Sequence, residues 1–289
     1  MHFQWGDYEQ ALYEYSRAIG VEPDDSENFY WRGYSYYELG DYDLALNDLY
    51  RVTALNPRDS YAYELIAAIY IEQEDYDEAI DPFARAAQLA PDRLSIFHER
   101  GLAYWHLNLL EKALVDLNTV IKFDDTLSSA YTNRGIIYAD LGLYELAQAD
   151  YNHAIELDPN NSIAYYNRGV NYEALNMQAL GEADYQQAIN LDPYDGIPHL
   201  ALAANYLERG DYLQAQSHYD RFMELTNGVV PRQFIETKRF VEQSLQSRQE
   251  DTLNLRNVAI VVLAGTAGFL IYRIRQTTKP TSNTRYKGR

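Results

Sequence analysis

A chain of 289 residues, 47% hydrophobic and 23% charged, has the composition of a globular protein with room for one or two ordinary domains. Having no cysteine, it excludes disulfides, thiolate metal sites and thiol catalysis. The net charge of -19 is uneven: residues 1–257 hold 18 basic against 43 acidic side chains, a body that repels phosphate backbones and argues against nucleic-acid binding, whereas 258–289 hold six basic and no acidic ones.

In chain order, "WGDYEQALYEYSRAIGVEPDD" comes first, with Leu12, Tyr15 and Ile19 on one helical face and Pro23 stopping the helix. Six repeats of 34 residues then follow without insertion: 26–59, 60–93, 94–127, 128–161, 162–195 and 196–229. Position 11 of the repeat is always tyrosine, from Tyr36 to Tyr206, and position 4 is aromatic except at His199. Position 8 is Gly or Ala throughout (Gly33, Ala67, Gly101, Gly135, Gly169, Ala203), and so is position 20 (Ala45, Ala79, Ala113, Ala147, Gly181, Ala215). Positions 4, 8 and 11 share a helix face, and small residues facing each other let two helices approach closely. Repeats end in stretches such as "ALNPRD" and "ELDPNN", where proline forbids further helix and Asp or Asn opens a turn. Each repeat is therefore expected to be a helical hairpin.

Stretches such as "SSAYTNRGIIYADLGLYELAQADYNHAIELDPNN" resemble the tetratricopeptide repeat, and the resemblance runs over residues 4–229. It implies an all-α fold, a right-handed superhelical solenoid of helix-turn-helix hairpins with an extended binding surface. Residues 5–25 then match positions 14 to 34, which makes 1–25 a half repeat with the second helix only. Either the true start lies upstream, or this helix packs on the first repeat as a cap. The departures are Asp125 and Asn227 in place of the closing proline, and "LNMQALGEA" in the fifth repeat, whose turn and second helix are expected to be shifted or loosely packed.

Position 7 is Arg32, Arg100, Arg134 and Arg168 in four repeats, and position 23 is Asp48, Asp116, Asp150 and Asp184 in the same four. The other two repeats change both together, to Ile66 with Pro82 and to Leu202 with His218. This covariation within one molecule predicts four structural ion pairs across the hairpins. The alternative is a ladder of anion-binding arginines.

By the resemblance, positions 2, 5, 9, 12 and 13 of the first helix line the binding surface. The candidate partner groove is Tyr30, Tyr34 and Tyr37 in the first repeat, Tyr61, Glu64 and Glu72 in the second, and His98, Trp105 and His106 in the third. Asp140, Tyr166 and Glu173 continue it in the fourth and fifth repeats. This lining is aromatic and acidic, and suits a protein or peptide segment with apolar and basic residues. Members of the family that grip a terminal carboxylate use Lys and Asn at positions 5 and 9, which hold neither here. Chemistry finds little support: no catalytic residues are identified, no metal and no cofactor are expected. His98 and His106 are eight apart, wider than helical metal pairs, and Asp24–Asp25 and Asp124–Asp125 sit at turns, where carboxylates cap helices.

After the repeats, residues 230–257, with "PRQFIETKRFVEQSLQSRQEDTLNLRN" from Pro231 on, read as a capping and juxtamembrane helix, with Phe234, Ile235, Val241 and Leu245 near helical spacing. "VAIVVLAGTAGFLIYRI" (258–274) is 17 residues, about 25 Å of helix at ~1.5 Å each, and is expected to span a membrane, followed by a basic tail, 275–289. The basic tail favours repeats outside the cytoplasm, whereas the lack of a visible signal peptide favours repeats within it. The function expected is a membrane-anchored interaction scaffold. Alternatives are a subunit that self-assembles through its terminal repeats and a hydrolase or transferase.

Overall fold

The computed structural model describes residues 7–229 and 234–250. Fourteen α-helices and no strands occur among them. The described residues form two compact lobes, one up to Ile137 and one from Tyr138 on.

The first lobe contains α1 (Tyr8–Val21), the hairpins α2 (Ser26–Leu39) with α3 (Tyr42–Leu55), α4 (Ser60–Glu72) with α5 (Tyr76–Leu89) and α6 (Leu94–His106) with α7 (Leu110–Phe123), and α8 (Ser128–Asp140) as far as Ile137. The starts are written in the sequence. Asp25 accepts from the Glu27 amide, and Asp59 accepts from those of Tyr61 and Ala62, satisfying amides that have no partner within the helix. Within every hairpin the turn needs one residue of positive φ. Gly40, Gly142 and Gly210 supply it at no steric cost, while Glu74 (φ 64°), Asn108 (57°) and Asn176 (60°) adopt it with a side chain attached.

Buried clusters bridge successive hairpins. Ala45, Leu49 and Val52 of α3 bury themselves with Ala62, Leu65, Ile66 and Ile69 of α4, and Phe83 and Ala86 of α5 do so with Ile96 of α6. Helix α1 docks on the first hairpin, where Arg32 Nη1 donates to Ser16 Oγ at 3.2 Å. Its Leu12, Tyr15 and Ile19 are half-buried.

The second lobe holds α9 (Tyr144–Leu157), α10 (Ser162–Ala174) with α11 (Gln178–Leu191), α12 (Ile197–Glu208) with α13 (Tyr212–Thr226), and α14 (Ile235–Glu250). Phe234 and Val241 are fully buried against this core, so α14 closes the end of α12 and α13. The fifth repeat corrects the expectation of loose packing. Its two helices have ordinary lengths, and a Cβ built on Gly181 would lie 2.9 Å from the Gly169 carbonyl oxygen, so the pair is close because both positions are glycine.

This closeness makes a prediction. A Cβ at Gly169 would meet the buried Tyr185 ring at 2.7 Å, so Gly169→Ala should cost about 1–3 kcal/mol. At Gly101 the nearest atoms are 3.4 Å away, and Gly101→Ala should be neutral or stabilising by up to about 1 kcal/mol through helix propensity. Thermal melts of the two variants, compared with the parent, read the contrast.

Three of the arginines sit against their aspartates. Nε of Arg32, Arg100 and Arg168 lies 2.6, 2.7 and 2.7 Å from Asp48, Asp116 and Asp184, and Nη2 makes a second bond to the other oxygen of each carboxylate. The repeat aromatics flank these guanidiniums: Phe97 and Tyr104 at Arg100, Tyr165 and Tyr172 at Arg168. The fourth expected pair has Arg134 in one lobe and Asp150 in the other, and stays an expectation.

A second bond was not foreseen. Nη1 of Arg32, Arg134 and Arg168 reaches back sixteen residues, to Ser16, Asn118 and Asn152, on the second helix of the preceding hairpin. Arg100 has Ala84 at that offset, which offers no acceptor.

The expected membrane localisation needs correcting. No helix among the described residues is long and apolar enough to cross a membrane. The longest, α14, has 16 residues, or about 24 Å, and carries charges along its length. Residues 258–274, on which the expectation rested, lie outside the described residues, as does the basic tail.

Candidate partner-binding face

In the first lobe the first-helix residues form a run of rings. Tyr34 lies 6.0 Å from Trp31, 6.3 Å from Tyr37 and 6.4 Å from Tyr8 of α1, and Tyr37 lies 6.1 Å from Tyr42, centroid to centroid. The Tyr34 hydroxyl donates to Glu38 Oε1 at 2.7 Å. Burial and then this carboxylate hold the Tyr34 phenol far above the ordinary tyrosine range. The Tyr37 phenol is pushed up to about 12, by burial first and then by Glu72 and Glu38. A row of half-buried rings thus sits in a negative field, where a cation gains from both the ring faces and the carboxylates.

The second repeat shows such a cation in place. Arg93, at the start of α6, lays its guanidinium 3.7 Å over the Tyr61 ring, donates to Ser60 Oγ at 3.1 Å and pairs with Glu64. Ser95 donates to the other Glu64 oxygen. Two of the expected groove residues, Tyr61 and Glu64, are therefore already engaged by the chain's own arginine. Position 5 corrects the reading further. Tyr166 is completely buried, packed on Tyr185 at 5.4 Å within the core of the second lobe, and Tyr30 is only 9% exposed. In both repeats this ring is buried in a core instead of lining a surface.

The histidines are held separately. His98 accepts at Nε2 from the Asn133 amide at 2.9 Å with Nδ1 3.4 Å from Glu99, a tautomer set by these neighbours. His106 stacks flat on Tyr76 with centroids 3.8 Å apart, and Trp105 meets it edge-on at 5.0 Å. Among the described residues no group of three or more metal-ligating side chains occurs.

In the second lobe Asp140 is exposed. Glu173 is not a simple surface acid. Asn205 of α12 donates to it at 2.5 Å, and the fully buried Tyr185 hydroxyl lies beside it. Burial raises its carboxyl to about 7, Glu208 and Glu182 add to the rise, and Asn205 and Tyr185 oppose it. Arg93, Tyr8, Trp31, Tyr42 and Asn205 were missed in the sequence. All five lie outside the surface positions assigned by resemblance, and only the spread of aromatics beyond those positions hinted at the three rings.

Family models for the tetratricopeptide repeat match residues 128–161 and 150–182, and the model described as anaphase-promoting complex, cyclosome, subunit 3 matches residues 4–86. No curated protein matches the chain. Among solved structures, the chain is similar to the APC/C hetero-tetramer Cut9-Hcn1, with a TM-score of 0.66 and 16% identity over 83% of this chain and 46% of that one, so it spans less than half of that longer chain. It is similar to PilW, a widely conserved type IV pilus biogenesis factor, with a TM-score of 0.64 and 17% identity over 75% of this chain and 98% of that one. It is also similar to YrrB, a TPR protein with an unusual peptide-binding site, with a TM-score of 0.54 and 22% identity over 62% of this chain and 92% of that one. At these identities the likeness is one of fold. The chain carries tetratricopeptide repeats in an all-α architecture.

Proposed function

We propose that this protein is a protein–protein interaction scaffold, with residues 26–229 as its six repeats, a half repeat before them and a capping helix after. Its first-helix face in the first lobe takes an extended partner segment that presents basic residues between apolar ones. The observation that carries this reading is Arg93, whose guanidinium rests on Tyr61 and pairs with Glu64. The next rings and acids along the same lobe, Tyr34 and Tyr37 with Glu38 and Glu72, repeat that chemistry for a cation supplied from outside. The peptide-binding function of YrrB is consistent with it. The reading is non-catalytic.

The test is fluorescence anisotropy with a labelled peptide alternating arginine and leucine, against one alternating aspartate and leucine. The basic peptide should bind, more weakly as salt rises, and Glu38→Lys with Glu72→Lys should weaken it about tenfold or more. Equal binding of the acidic peptide, or no effect of the two reversals, would overturn the reading. Growth of particle size with concentration would favour self-assembly through the terminal repeats instead.

A further inference from the structure

The geometry points to a pH-responsive latch that fastens α12 onto the α10–α11 hairpin, with Glu173 as its moving group. It is independent of partner binding. Where the repeat carries Arg32 or Arg168, the guanidinium ties a hairpin to the one before it. At α12 the corresponding residue is Leu202, and that tie is absent. Two other polar links stand at this junction: Asn205 Nδ2 to Glu173 at 2.5 Å, and Arg209 to Glu182 of α11 at 2.7 Å.

The seat for Glu173 is built. Its Cγ lies 3.2 Å from where a Cβ on Gly181 would be, so an alanine at that position would crowd the side chain. The groups that face the carboxyl are Asn205 and Glu208 from α12 and Tyr185 and Glu182 from α11. On the far side of α10, α9 offers Gln148 and the Tyr144 carbonyl to Asn171. Arg209, a cation at this junction, is engaged by Glu182. A neutral Glu173 suits this half-buried place. An ionised one is left between two like charges with little water, and turning outward relieves it at the expense of the Asn205 bond.

The sign follows from the raised carboxyl, which stands at about 7 in the fold against an ordinary 4.5. Fastening is complete at acid pH and is lost as pH climbs through neutrality. Hydrogen exchange of the full chain, corrected for intrinsic rates, tests this at pH 6 and pH 8. Protection of α12 amides should fall about tenfold at the higher pH, and Glu173→Gln should retain at pH 8 the protection seen at pH 6. A second measurement, the carboxyl carbon shift of Glu173 in the unmodified protein, should titrate between about 6 and 8. A midpoint below 5, no pH dependence in α12, or the same dependence in Glu173→Gln would overturn the latch.

Discussion

Replacing Arg100 with methionine is expected to destabilise the α6–α7 hairpin by about 3–5 kcal/mol, because Asp116 would keep its charge with only 4% of its side chain exposed and no partner. The bidentate geometry satisfies both carboxylate oxygens, so removal of the guanidinium orphans two acceptors at once. The double replacement Arg100→Met with Asp116→Leu removes both charges, and should come within about 1 kcal/mol of the parent. Arg51 with Asp24 is the internal control. That pair lies 3.0 Å apart but is 47% and 82% exposed, and Arg51→Met should cost less than about 1 kcal/mol. Because repeats unfold through neighbouring units, the costs are best read from exchange protection of α6 and α7 as well as from urea titrations. Equal losses for Arg100→Met and Arg51→Met would show that the Asp116 site is wet.

Acid is expected to weaken the second lobe through a histidine pair. In the sixth repeat His199 and His218 replace the aromatic of position 4 and the aspartate of position 23, and their Nδ1 atoms lie 2.9 Å apart. One ring donates to the other, an arrangement that requires at least one neutral imidazole. Burial first, then His218 and Arg221, lowers His199 to about 4, and burial lowers His218 as well. Both folded values lie below the ordinary 6.5, so this stabilisation is complete above 6.5 and is lost as pH falls towards 4. The loss should be on the order of 2 kcal/mol, allowing for partial exposure. His199→Phe, which gives the repeat the residue it has at Phe29 and Phe97, should flatten the acid limb of a stability-against-pH curve. Glu173 acts with opposite sign in an overlapping window, so the comparison is cleanest in a Glu173→Gln background. An unchanged acid limb in His199→Phe would rule the pair out as its source.

Hairpins and their spacing were legible because a 34-residue period records them six times over, and the small residues at positions 8 and 20 announce the close approach of paired helices. The contacts of Arg32, Arg100 and Arg168 with their aspartates were legible for the same reason: covarying positions within one chain report proximity without any relative. The surface was less so. Tyr166 and Tyr30 were placed on it by resemblance, but both rings are buried in the core. No local pattern separates a tyrosine that lines a face from one that fills a core. Arg93 was invisible as a groove residue because it belongs to the turn of one repeat and acts on the first helix of the same repeat, 32 positions earlier, at Tyr61. Glu64 and Glu173 are committed to neighbours, which no pattern in the sequence shows.

The backward reach of the arginines bears on whether the repeats are interchangeable. In α1, α2 and α3 one guanidinium holds Ser16, sits on Arg32 and grips Asp48, and in α9, α10 and α11 Asn152, Arg168 and Asp184 do the same. A hairpin moved to another place would keep its own aspartate but would find its acceptor only behind a predecessor with Ser or Asn at the matching offset. Arg100, which follows Ala84, is the copy that could be moved most freely. The chain therefore encodes the order of its units as well as their shape, and a shuffled array built from the same hairpins would fold each one while losing the stitches between them.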